Sequence, residues 1–256
     1  MKTFYIECKM GAAGDMLSAA LLDLLPEEER KNAIDAFNSL GLPGVLMSAE
    51  PSEKRGVRGL HVTITVNGTE EGEEEHSHAS EKETHAHVHR SMKDIEDIVS
   101  SCAGIPQKIR EEVLKVYGVI AEAESKAHGT TVTEVHFHEV GMMDAVADIT
   151  AVCMLMDRIA PDRIIASPVN TGSGHVHCAH GILPVPAPAT ANLLEGIPHY
   201  SNGIESELCT PTGAALIRHF AEGFGAMPDM KVVAEGHGMG KKDLEEANCV
   251  RIYIGE

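Results

Sequence analysis

Residues 70–89 set the first limit on what this chain can fold into. The stretch holds seven Glu, one Lys, five His (His76, His78, His85, His87 and His89) and a single large apolar residue, Val88. Nothing in it can offset the entropy lost on ordering, so a disordered acidic, His-rich loop is expected over 70–90. Packed structure must then come from either side of it. The division expected is an N-terminal α/β lobe over 1–69 and a main metal-handling lobe over 91–256.

The material for those lobes is unusual. Of 256 residues 43% are hydrophobic, yet only 4% are aromatic and none is Trp, so the core must be built from Ala, Val, Ile, Leu and twelve Met. Phe4–Ile6 reads as a short strand, and Met16–Leu25 as a helix. A second helix opens at Pro26 with three Glu in its first turn and stops at Gly41. Leu60, Val62, Ile64 and Val66 alternate with polar residues, the pattern of a half-buried strand. Ser91 with Asp94 forms a capping-box start. A long helix runs from Pro106 to near Gly129, and another from about Glu139 to Arg158. Strands are expected over Arg163–Val169 and Val250–Ile254, a Gly-, His- and Pro-rich loop over 172–188, and short helices over Ala189–Leu194 and Ala214–Ala221. Helices and strands mix without a βαβ rhythm, so the fold class expected is α+β, an irregular α/β arrangement.

The net charge of −18 lacks the positive footprint that nucleic acid or an anionic membrane surface requires, and it suits cation capture. Six scattered Cys contain no CxxC pair and read as reduced thiols. No secretory h-region opens the chain, and no segment reaches the roughly 18 apolar residues of a membrane span. A cytoplasmic homo-oligomer is expected.

Fifteen His are the outlier, because imidazole is the commonest metal-ligand side chain. In an extended segment His136 and His138 point to one side, and Asp144 and Asp148 share a helix face four residues apart. These four are expected to converge on one divalent ion. His175, His177 and His180, framed by glycines and beside Cys178, form a second candidate set. The five His of the 70–90 loop would bind Ni²⁺, Zn²⁺ or Cu²⁺ with little geometric selectivity, as a reservoir. Asp15 and Glu139 are the candidate catalytic carboxylates. Gly11, Gly14, Thr210, Thr212 and Gly213 sit at helix N-termini able to meet a phosphate, with simple capping as the alternative. No Lys-Ser/Thr of a P-loop accompanies them.

Several segments, in order, resemble the LarC family of nickel-pincer cofactor biosynthesis. They are GAAGDMLSAALLDLL (11–25), KRGVRGLHV (54–62), the His-rich loop, HFHEVGMMDAVADI (136–149), SPVNTGSGHVHCAHGILPVPAPAT (167–190), ELCTPTGAA (207–215) and GHGMGKKDL with NCVRIYIGE (236–256). Glu7 stands as the acidic residue before the first Gly-rich turn, and Ser206 replaces a usual Gly. The resemblance implies nickel insertion into the pyridinium-3,5-bisthiocarboxylic acid mononucleotide, dependent on CTP with Mn or Mg. It also implies a C-terminal CTP-binding half beyond these residues, and lactate racemase or similar nickel-pincer enzymes as recipients. A non-catalytic nickel storage or delivery protein is the rival reading, and a metal-independent nucleotide-binding module is another.

Overall fold

A computed structural model describes residues 1–70, 90–178 and 180–256. The expected His-rich loop therefore lies almost wholly outside the described residues. The N-terminal region gives β1 (Thr3–Glu7), α1 (Gly14–Asp23), α2 (Glu27–Asn38), β2 (Val45–Lys54) and β3 (Val57–Val66). After residue 89 come β4 (Arg90–Ser91), α3 (Met92–Ser101), α4 (Gln107–His128), β5 (His136–Phe137) and α5 (Met143–Ile159). β6 (Arg163–Ala166), β7 (Val169–Asn170), β8 (His175–Cys178), β9 (Gly181–Pro184), α6 (Pro188–Leu193) and β10 (His199–Tyr200) follow. α7 (Pro211–Phe220), β11 (Gly223–Phe224), β12 (Val232–Met239) and β13 (Cys249–Gly255) complete the order.

This is the α+β architecture that the patterning implies. Its main sheet has seven strands in the order β11-β6-β1-β13-β12-β3-β2, drawn from both sides of residues 70–90. β1 is parallel to β6 and antiparallel to β13, with Phe4 opposite Ile254 and Ile6 opposite Ile252. Alternation sorts the two faces. Phe4, Ile6 and Ile252 are fully buried, whereas Glu7 and Arg251 pair on the other face. α1 lies along β12 and β3, and α5 packs against α1 and α4. The aromatic-poor core is what those helices present: Leu17, Leu21 and Leu22 from α1, Ile149 and Leu155 from α5, and Val113, Val116 and Ile120 from α4.

Local signals explain most of the elements. Ser91 and Asp94 form the expected capping box on α3. Gly129, at φ 65°, ends α4 in the left-handed conformation that favours glycine. Three elements differ from expectation. β2 buries only Val45 and Met47 at its start and then carries Glu50, Pro51 and Glu53, so its apolar stripe is short. β12 contains Gly236, His237 and Gly238, which read as turn residues. The glycines are needed because β12 passes under α1: a Cβ on Gly238 would lie 1.8 Å from the Met16 carbonyl oxygen. The 172–188 loop contains the β8–β9 hairpin.

The helix expected from Glu139 begins only at Met143, after a separate 3-10 turn over Glu139–Gly141. That turn is pinned from two sides. The buried Tyr117 hydroxyl of α4 donates to the Val140 carbonyl at 2.9 Å, and the Arg90 guanidinium donates to the Gly141 carbonyl. Tyr117→Phe is expected to leave the Val140 carbonyl short of its donor and to cost about 1–3 kcal/mol in urea unfolding. An unchanged unfolding midpoint would show that the turn is held by other means.

Candidate metal centre

Two adjoining cavities lie where α1, α5 and α7 begin and α4 ends. The larger, of about 350 Å³, is walled by the first turn of α1, the Asp144–Asp148 face of α5, Thr210 and Thr212 at the head of α7, and Lys241. The smaller, of about 180 Å³, lies between the C-terminus of α4, His138, the β8–β9 hairpin and the start of α6. Glu139, Val140, Glu207 and Pro211 line both and so form the wall between them.

Backbone close approach builds the larger cavity. Gly14 leaves no side chain between α1 and α5: a Cβ there would sit 2.6 Å from Asp148. Gly11, at φ 77°, lets the turn before α1 lie against Leu208, and the Ala12 N–H donates to the Leu208 carbonyl at 3.1 Å. Thr210 caps α7 by accepting from the Gly213 N–H at 3.1 Å, and its hydroxyl lies 3.0 Å from that of Thr212. Gly213 itself lies so close to Ala12 that a Cβ would come within 2.0 Å of its carbonyl oxygen.

Three imidazoles converge in the smaller cavity. His128 ends α4, His138 precedes the 3-10 turn, and His180 lies in the hairpin turn. One ring nitrogen of each lies within 4.8 Å of the others, and the ring centroids are 4.3 to 5.9 Å apart. Three ligand nitrogens about 2.1 Å from one ion lie about 3.0–3.6 Å apart, so a shift of about 1 Å per ring closes the set. Glu124, one turn back on α4, approaches His128 Nε2 at 3.5 Å, in the place of a carboxylate that orients a ligating imidazole. Cys178 lines the same space. His128 and His180 are exposed, so an ion held there can exchange with its surroundings.

A family model described as nickel insertion protein matches residues 4–256. The chain belongs to that family. A pyridinium-3,5-bisthiocarboxylic acid mononucleotide nickel insertion protein of Clostridium kluyveri is 43% identical over the whole chain, which covers 62% of that relative. A protein of the same name from Desulfitobacterium hafniense is 37% identical, with 59% of it covered. A putative nickel insertion protein of Dictyoglomus thermophilum is 36% identical, with 61% covered. The chain thus spans about three-fifths of the length of these curated relatives. No solved structure matches.

Within this family member the expected four-residue metal set is divided. β5 contains only His136 and Phe137, and the backbone turns at His138, so the two histidines do not stay on one side of a strand. His136 is exposed and lines neither cavity, whereas His138 joins His128 and His180. Asp144 and Asp148 share a face as expected, but they line the larger cavity. His175 and His177 point outward on β8, while Val176 and Cys178, which alternate with them, line the smaller cavity. Asp15 and Glu139 both reach the larger cavity, as do Gly14, Thr210 and Thr212. His76, His78, His85, His87 and His89 lie outside the described residues. His128, Glu124, Glu207 and Lys241 were not singled out by sequence. Only His128 carries a usable signal, as an imidazole in the last turn before a helix-ending glycine.

The electrostatics are those of carboxylates confined together. Burial raises Asp15, and burial with the neighbouring Asp15 and Asp144 raises Asp148 strongly. Burial pushes Glu207 up to about 7, against the lowering effect of Lys242. Between the ordinary glutamate value of about 4.3 and pH 7, folded Glu207 therefore keeps a proton that the unfolded chain has released, and stability falls as pH rises through that window. In metal-free protein, Glu207→Gln is expected to remove on the order of 2–3 kcal/mol of that fall in urea unfolding. Equal pH profiles for the two proteins would place Glu207 in contact with water.

Proposed function

We propose that this chain handles nickel for insertion into the pyridinium-3,5-bisthiocarboxylic acid mononucleotide, as the metal-binding part of a CTP-dependent insertase. The observation that carries this reading is the convergence of three imidazoles from separate elements beside a cavity large enough for a small ligand. Imidazole suits nickel among the first-row metals, and three neutral donors release a divalent ion more readily than a fully anionic cage would. Relatives named for insertion into this mononucleotide supply the substrate.

In this account nickel is cargo. His128, His138 and His180 hold it at the mouth of the smaller cavity, with Glu124 fixing one ring and Cys178 within the same walls. The mononucleotide occupies the larger cavity, its phosphate directed to the N-terminus of α7, where Thr210 and Thr212 present hydroxyls. Glu139 and Glu207 stand between the two and are placed to accept a proton released as the metal is bound. The CTP step, with Mn or Mg, is assigned to the whole enzyme rather than to these residues. The product would pass to lactate racemase or a similar nickel-pincer enzyme in the cytoplasm. Among the described residues, no helix is long and apolar enough to cross a membrane.

Competition titration with Ni²⁺ tests the reading. His138→Ala or His180→Ala is expected to weaken the tightest site by more than the roughly 10- to 100-fold that loss of an outer-shell partner costs. His136→Ala and His175→Ala should leave that site unchanged. Its affinity should also drop below about pH 6.5, where free imidazole protonates. If all four variants behave alike, nickel is held by the 71–89 segment and the storage reading replaces this one.

A further inference from the structure

The larger cavity has a donor chemistry that the nickel reading does not use. Asp15 lies in the first turn of α1, Asp144 in the first turn of α5, and Asp148 one turn further along. The closure of α1 onto α5 at Gly14 sets Asp15 and Asp148 side by side, and Asp144 and Asp148 share one helix face. All three line the same cavity. A second observation points to a ligand there. Asp148 Oδ1 is sealed from solvent and meets no hydrogen-bond donor. Lys241 lines the same cavity and attracts Asp148, but it is itself paired with Glu70 and donates nothing to that oxygen. A sealed carboxylate oxygen beside two further carboxylates must either keep a proton or share a cation with them.

The donors fix the class of that cation. They are carboxylate oxygens alone, on two rigid helix starts, with the imidazoles on the far side of the Glu139–Glu207 wall. Oxygen-only sets built from carboxylates suit hard divalent ions that keep part of their water shell, and the cavity leaves room for that water. We propose that Asp15, Asp144 and Asp148 form a binding site for a hard divalent cation of the Mg²⁺ or Mn²⁺ type, separate from the imidazole set. Such an ion would sit inside the cavity with open positions toward its mouth, where an anionic group of a ligand can complete the shell. The site stands or falls independently of whether the imidazoles carry nickel.

The test uses the full chain, stripped with chelator, and Mn²⁺ alone as probe. Binding is followed by loss of the free-ion signal in electron paramagnetic resonance. One equivalent of Mn²⁺ is expected to bind above the weak background common to all variants. Asp148→Asn and Asp144→Asn should each weaken it at least about tenfold. His138→Ala should leave Mn²⁺ binding unchanged. Metal-free Asp148→Asn should melt at the same temperature as the wild type or higher, because the substitution keeps the shape and removes a buried carboxyl whose Oδ1 has no partner. Mn²⁺ should raise the melting temperature of the wild type but not of Asp148→Asn. The proposal is overturned if both Asn variants bind Mn²⁺ as the wild type does, or if His138→Ala weakens binding as much as they do. It is equally overturned if metal-free Asp148→Asn melts well below the wild type, since that carboxylate would then already be satisfied by the protein.

Discussion

Gly14 allows the first turn of α1 to close directly onto Asp148 of α5, and the layout of the larger cavity follows from that approach. With any side chain there, the helices would be held apart, and the Asp15, Asp144 and Asp148 carboxylates would face water. Closed, they face one another and a cavity. The same logic of backbone against backbone recurs at Gly213, which brings the head of α7 to the Ala12 carbonyl, and at Gly238, which slides β12 beneath α1. An aromatic-poor core makes such approaches feasible. α1 is built largely of Leu and Ala, which pack at short range and leave its N-terminus free to carry function.

The wall between the cavities turns this packing into chemistry. Val140 is held by Tyr117 and Gly141 by Arg90, so the short turn bearing Glu139, with His138 just before it, is fixed from behind by α4 and β4. On one side of the wall the donors are imidazole nitrogens, and on the other they are carboxylate oxygens. Two donor classes a short distance apart let a protein distinguish a borderline metal from a hard one by ligand type rather than by affinity alone. The high net negative charge adds long-range attraction for cations of either kind.

Much of the fold was legible because its signals are local. The capping box on α3, the glycine stop of α4 and the alternation in β3 each occupy a few adjacent residues. β2 escaped because its apolar stripe stops after Met47 and Ala49, and β12 because the glycines that let it pass under α1 look like turns. The site was harder for a related reason. Asp15, Asp144 and Asp148 could be singled out one by one, but His128 lies ten residues before His138, at the end of a different element. On β8 the two histidines attracted attention, yet the pleat turns Val176 and Cys178 inward instead. Residue type marked segments that converge, and tertiary packing decided which atoms meet.

Anomalous X-ray scattering at the nickel absorption edge, from crystals grown with one equivalent of Ni²⁺, tests the central claim most directly because it locates the ion itself. The account predicts a principal peak bounded by His128, His138 and His180, about 2.1 Å from their ring nitrogens. A principal peak among Asp15, Asp144 and Asp148, or at His136, His175 or His177, would contradict it.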